Sequence, residues 1–160
     1  MSAPVPKRDI GGAVSRYSTV LKRANTHLRD YHILISHSWD YSDDYRTIKD
    51  WLDSTSYFKW SDYSVPIENP IDAKSKAELK QRIANRISCC GCVIVLSGMY
   101  VAYSEWIDFE IETALRYNKP IIGVRPWGQL RVPDEVSSNA DITVGWTRDG
   151  IVDAVRKYAL

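Results

Sequence analysis

The sequence has little excess charge of either sign: 21 Lys and Arg stand against 20 Asp and Glu, a formal net charge of +1. Such a balance lacks the basic footprint that nucleic acid or an anionic membrane surface calls for. Long apolar runs are also missing. None approaches the roughly 18 residues of a membrane span, and the opening Met1-Ser2-Ala3-Pro4-Val5-Pro6-Lys7-Arg8 carries no apolar stretch of the signal-peptide kind. The expectation is a cytoplasmic protein with neither membrane nor nucleic acid as a partner. Cysteine is scarce: Cys89, Cys90 and Cys92 are the full complement, and so narrow a window does not by itself surround a tetrahedral ion or supply a disulfide framework. They read as reduced structural thiols, and no metal site is expected. Glycine-rich phosphate cradles of the GxGxxG or GxxxxGK[ST] type are absent, so any nucleotide must be held by side chains and helix ends.

What is present is enough apolar material, 44% of 160 residues, for one domain with a core of its own. Residues 1–12, with two prolines and two glycines, read as a flexible lead-in, and residues 13–30 as an N-terminal helix with Val14, Tyr17, Val20 or Leu21, Ala24 and Leu28 at helical spacing. The domain proper occupies 31–160. Tyr31–Ser36, Tyr57–Trp60, Cys92–Ser97, Pro120–Val124 and Asp141–Val144 are short apolar runs of the buried-strand type. Between them lie helical stripes: Tyr45, Ile48 and Leu52; Leu79, Ile83 and Ile87 behind a Ser75-Lys76-Ala77-Glu78 capping box; Ile107, Ile111, Ala114 and Leu115, with Ser104 as the expected cap and Asn118-Lys119-Pro120 as the stop; and a closing helix over Ile151–Tyr158. This alternation predicts an α/β fold, a doubly wound, mostly parallel five-stranded sheet. Ligands of such sheets lie beyond the carboxyl ends of the strands, where Ser36-His37-Ser38-Trp39-Asp40, Ser61–Ala73, Gly98-Met99-Tyr100 and Arg125-Pro126-Trp127-Gly128 converge.

The segment from Gly98 to Glu110 carries the most chemistry. Trp106 and Glu110 stand four residues apart on one helix, so their side chains share a face. Spacing alone leaves two readings open. Trp106 is a core anchor and Glu110 a solvated acid, or the indole and the carboxylate form a plate and an acid suited to a sugar or nucleotide.

Ile33-Leu34-Ile35-Ser36-His37-Ser38 resembles the first strand of Toll/interleukin-1 receptor (TIR) domains, and Trp106-Ile107-Asp108-Phe109-Glu110 resembles their Trp-x-x-x-Glu helix. The similarity is greatest to bacterial TIR-like proteins of the Thoeris antiphage type. These share Asp62-Tyr63-Ser64-Val65-Pro66, Gly98-Met99-Tyr100 followed by Ser104-x-Trp106-Ile107, and Lys119–Val124 with Pro126-Trp127-Gly128. The resemblance implies the flavodoxin-like TIR fold over 31–160 and cleavage of the nicotinamide–ribose bond of NAD, which is substrate rather than cofactor. Glu110 would be the catalytic carboxylate, stabilising the positive charge that develops on the ribose.

The other candidates follow from the same comparison. Ser36, Ser38 and Asp40 would hydrogen-bond ribose or phosphate, with helix N-capping the alternative for Asp40. His37 stands where the family usually carries other residue types, and its own chemistry makes it a candidate for proton transfer near neutrality. Asp62, Ser64 and the loop they begin would cover the nucleotide and exclude water, favouring cyclisation or transfer over hydrolysis. Met99 and Tyr100 would line the pocket or simply pack, and Trp106 would stack on a ring or anchor its helix to the sheet. The implied partners are further copies of the chain, and an effector reached through a diffusible nucleotide. A non-catalytic TIR interaction module and a nucleoside glycosyl-transferring enzyme are the rival readings. A nuclease ranks lower, because no paired-acid cluster is evident.

Overall fold

The computed structural model describes residues 29–36, 42–65, 75–128 and 132–160. The expected lead-in and N-terminal helix lie outside the described residues, apart from Arg29 and Asp30. Five strands are seen: β1 (Asp30–Ser36), β2 (Lys59–Asp62), β3 (Cys92–Leu96), β4 (Ile121–Arg125) and β5 (Ile142–Gly145). They pair in the order β2-β1-β3-β4-β5, every pair parallel. The helices are α1 (Ser42–Asp53), α2 (Lys76–Cys89), α3 (Tyr100–Arg116), α4 (Asp134–Asn139) and α5 (Arg148–Tyr158). This is the flavodoxin-like arrangement.

The chain steps from β1 outward to β2, then returns past β1 to β3, β4 and β5. Right-handed crossovers therefore put α1 on one face and α2, α3 and α4 on the other. The helix contacts agree, α1 packing on α5, α2 on α3, and α3 on α4. Covered on both faces, the central strand β3 is buried at every position, Cys92-Val93-Ile94-Val95-Leu96. A parallel strand buried on both sides has no polar face, hence the unbroken apolar run.

Helix boundaries follow from local chemistry. The Ser75 hydroxyl accepts the Glu78 backbone N–H at 3.1 Å and starts α2, whose Leu79, Ile83 and Ile87 are buried. Asn118, at φ 51°, ends α3: its N–H reaches the Leu115 carbonyl at 3.1 Å, and the Lys119 N–H reaches the Ala114 carbonyl at 2.8 Å. That pair of bonds is the Schellman closure, with asparagine in the left-handed position.

Several boundaries differ from the sequence expectation. β2 begins at Lys59 rather than Tyr57, because Tyr57 adopts φ 57° and is 76% exposed, a conformation that does not continue a strand. Ser61 and Asp62 consequently belong to the strand and not to the loop. Ser104 lies inside α3 instead of capping it, since a 3-10 turn over Ser97–Met99 leads directly into the helix at Tyr100. Leu115, expected in the buried stripe, is 47% exposed, and Thr113 is buried instead. The Thr113 hydroxyl donates to the Phe109 carbonyl at 2.6 Å, which satisfies it inside an apolar seam. The short α4, with Val136 as its buried residue, had no periodicity long enough to read.

Gly91 sits where chain segments crowd. Its N–H donates to the His32 carbonyl at 2.7 Å, its carbonyl accepts from Leu160, and a Cβ there would lie 2.8 Å from the Leu160 carbonyl oxygen. Gly91→Ala should therefore destabilise the fold by about 1–3 kcal/mol through overpacking, read as a lower denaturant midpoint at unchanged slope. An unshifted midpoint would mean that the Leu160 contact is not part of the stable fold.

Candidate active site

The strand order reverses between β1 and β3, and at such a switch point the flanking connections diverge to leave a crevice beyond the strand ends. Ser36 is the last residue of β1, and Glu110 lies on α3, the connection that follows β3. On α3 the residues Ile107, Ile111 and Ala114 point into the core at 2%, 3% and 0% exposure, and Glu110 falls within that stripe. The helix thereby carries a carboxyl group to the sheet, where it is 9% exposed. The Ser36 hydroxyl, itself buried, donates a hydrogen bond to Glu110 Oε2. Burial pushes the Glu110 carboxyl up from its ordinary 4.5 to about 7, with the Ser36 bond opposing in part. Loss of solvation disfavours the anion, and a donor to the anion favours it. The reading of Glu110 as a solvated acid is overturned by this packing.

Trp106, one turn earlier, turns toward the seam between α2 and α3. The ammonium groups of Lys76 and Lys80 stand 5.9 and 5.8 Å from its ring centroid, and Lys80 is also 5.1 Å from that of Phe109. Both lysines pair with Glu105. The half-buried indole thus packs against the core while lysines crowd its ring, a cation–π arrangement. Nothing in the spacing of the two lysines pointed to this ring, because their partner lies on another helix.

Asp62 and Ser64 close the end of β2. The Tyr45 phenol donates to Asp62 Oδ2, the Ser64 backbone N–H donates to Asp62 Oδ1 at 2.9 Å, and Lys49 Nζ is 3.9 Å from the same carboxylate. Burial, then the Asp62 bond, pushes the Tyr45 phenol upward, so it remains a proton donor. Past Asp62, Tyr63 still donates to the Ile33 carbonyl at 2.8 Å, but the next ladder bond comes from a side chain: Ser64 Oγ accepts the Ile35 N–H at 2.9 Å. An unsatisfied buried N–H would cost about 1–3 kcal/mol, and Ser64 removes that cost beside Ser36. Tyr45 and Lys49 were missed as site residues. The one sequence hint was a hydroxylated residue, Tyr45, on the buried stripe of α1.

Of the sequence candidates, Ser36 and Glu110 meet directly, and Ser64 joins them through the neighbouring backbone. Asp62 holds Ser64 from the α1 side. His37, Ser38 and Asp40 lie outside the described residues. Met99 ends the 3-10 turn and Tyr100 opens α3, and their side chains are likewise outside the described set. Cys90 and Cys92 are buried, Cys89 is exposed, and all three are free thiols. Burial pushes Cys90 up to about 11 and Cys92 in the same direction, which keeps both protonated and unreactive. Among the described residues no helix is long and apolar enough to cross a membrane.

A family model described as "Thoeris protein ThsB, TIR-like domain" matches residues 34–131, more than half of the chain. The chain belongs to this ThsB TIR-like family. The matched span holds Ser36, Asp62, Ser64, Trp106 and Glu110. No curated protein shows significant similarity. Among solved structures, the chain is similar to the CMP N-glycosidase BcmB of Clostridium botulinum, with a TM-score of 0.52 and 12% identity over 79% of this chain and 99% of that one. It also overlaps a 3-dehydroquinate dehydratase-like protein of Bifidobacterium longum at a TM-score of 0.45 and 12% identity, over 81% and 94% of the two chains. At these identities the first likeness shows the shared fold, and the second carries no argument.

The raised Glu110 group makes stability depend on pH. The folded state binds this proton more tightly than the unfolded state, so the contribution is complete below pH 4.5 and is lost as pH rises through about 7. A gap of that size corresponds to roughly 3 kcal/mol. Denaturant unfolding across this window should show wild type losing stability relative to Glu110→Gln, whose carboxamide does not titrate. Parallel curves for the two proteins would contradict a buried, raised carboxyl.

Proposed function

We propose that this TIR-like domain cleaves the N-glycosidic bond between nicotinamide and ribose in NAD, with Glu110 as the catalytic carboxylate. The observation that carries the proposal is the desolvated Glu110 carboxyl, held by Ser36 at the switch point of the sheet. The C1′–N bond breaks with its electron pair passing to nicotinamide, which leaves as a neutral ring and needs no metal to assist it. Positive charge then grows on the ribose, and a carboxylate in a dry site stabilises that charge far more than one in water. The pyridinium charge of bound NAD favours the ionised form of Glu110 before the bond breaks.

The electron-poor C1′ is then taken by an acceptor hydroxyl, which loses its proton, or by a nucleophile within the ADP-ribosyl group itself, giving a conjugate or a cyclic product. Such a product is a diffusible signalling nucleotide that reaches an effector in antiphage defence, made by an enzyme acting in the cytoplasm. Ser36, His37, Ser38 and Asp40 would bind the ribose and phosphates from the end of β1, Asp62 and Ser64 would bound the site beyond β2, and Met99, Tyr100 and Trp106 would line it from the start of α3. Family membership supports the antiphage setting, and the solved neighbour's name records N-glycosidic cleavage on the same fold. Further copies of the domain would be its partners.

The test incubates purified protein and Glu110→Gln with NAD, and separately with CMP, with and without lysate from phage-infected cells, following base release and products by mass spectrometry. Nicotinamide release should fall by about 100-fold or more in the variant. Because the reactive form is the carboxylate, kcat/KM should climb with pH and level off above about 7. CMP cleaved in place of NAD would keep the bond class and change the substrate. Intact NAD and CMP with persistent self-association would replace the enzyme with a TIR interaction module.

A further inference from the structure

The contacts around β1 form one continuous chain that starts on α1. The Tyr45 hydroxyl donates to Asp62 Oδ2. The other oxygen of Asp62 accepts the Ser64 backbone N–H at 2.9 Å. Ser64 Oγ accepts the Ile35 N–H at 2.9 Å. The residue after Ile35 is Ser36, whose hydroxyl donates to Glu110. Ser64 and Ser36 are both buried, at 6% and 2% exposure.

This chain has a geometrical consequence. β2 stops at Asp62, so the last residues of β1 lose their strand neighbour on that side while β3 still pairs with them on the other, Ile35 facing Ile94 and Ser36 facing Val95. A strand end held on one side alone is free to tilt about the remaining ladder. Ser64 supplies the missing bond from the open side, and Asp62 and Tyr45 fix the height of Ser64. We propose that Tyr45, acting through Asp62 and Ser64, is a positioning residue that holds the end of β1 so that the Ser36 hydroxyl meets Glu110. The inference rests on the reading of Glu110 as the catalytic carboxylate, and it gives Asp62 and Ser64 a role in aligning the site rather than in touching substrate.

The deciding experiment follows the Glu110 side-chain carboxyl by carbon NMR through a pH titration of the substrate-free protein, the resonance being assigned by its loss in Glu110→Gln. Tyr45→Phe and Ser64→Ala should each move the Glu110 midpoint upward by about half a unit or more, because the Ser36 donor no longer favours the anion. Ser64→Thr, which keeps the hydroxyl, should restore it. In a Ser36→Ala background Tyr45→Phe should add nothing, since its effect passes through Ser36. With NAD, Tyr45→Phe should lower kcat by about tenfold and leave KM within about twofold, as misalignment of a bound reactant does. Folded variants with the wild-type midpoint overturn the positioning role, as does an equal shift with and without Ser36. Should Ser64→Ala fail to fold, the Tyr45→Phe pair decides. A shifted midpoint without NAD turnover sinks the proposed reaction alone, and turnover with an unmoved midpoint sinks the positioning alone.

Discussion

A carboxyl group among apolar residues, Glu110 against the end of a parallel sheet, is the constraint around which this molecule is arranged. Isolated in such surroundings a carboxylate is strongly disfavoured, and a protein holds one there only by protonating it or by supplying donors. Here one donor comes from Ser36, the last residue of β1. The group is kept in a state that water would erase, with a raised proton affinity.

The surrounding fold is organised to keep that placement fixed. The central strand is apolar throughout, and α3 spends most of its inward stripe on Ile107, Ile111 and Ala114. These contacts hold the helix to the sheet strongly enough to carry one unfavourable residue among favourable ones. The weak point lies on the other side of β1, where β2 is short and ends early. The side chain of Ser64 stands in for a strand there, and its anchors on Asp62 and Tyr45 tie that repair to α1. Stability and site geometry are thus coupled at a single strand end.

Much of this was legible from residues in order. Tyr31–Ser36 and Cys92–Leu96 were visible as strands because buried parallel strands are apolar on both faces. Ser75 with Glu78 marked the start of α2, and Asn118 the end of α3, because capping is chemistry of nearest neighbours. The errors were local as well. A left-handed Tyr57 delayed β2, a 3-10 turn displaced the start of α3 from Ser104, and a threonine with an internal hydrogen bond took the buried position expected of Leu115. In each case a backbone conformation or a satisfied hydroxyl prevailed over a hydrophobicity pattern.

By itself the sequence determined the doubly wound sheet, the burial of its central strands and the presence of Trp106 and Glu110 one helical turn apart, because periodicity and composition are properties of short windows. The environment of Glu110 was decided by tertiary structure alone. Whether the acid on α3 faces solvent or Ser36 depends on how that helix rotates against β1, a strand 74 positions away in sequence. The same holds for Lys76 and Lys80 over Trp106, and for Tyr45 reaching Asp62. Contacts between distant elements are set by packing as a whole, and desolvation, which sets the chemistry of Glu110, exists once the core has closed over it.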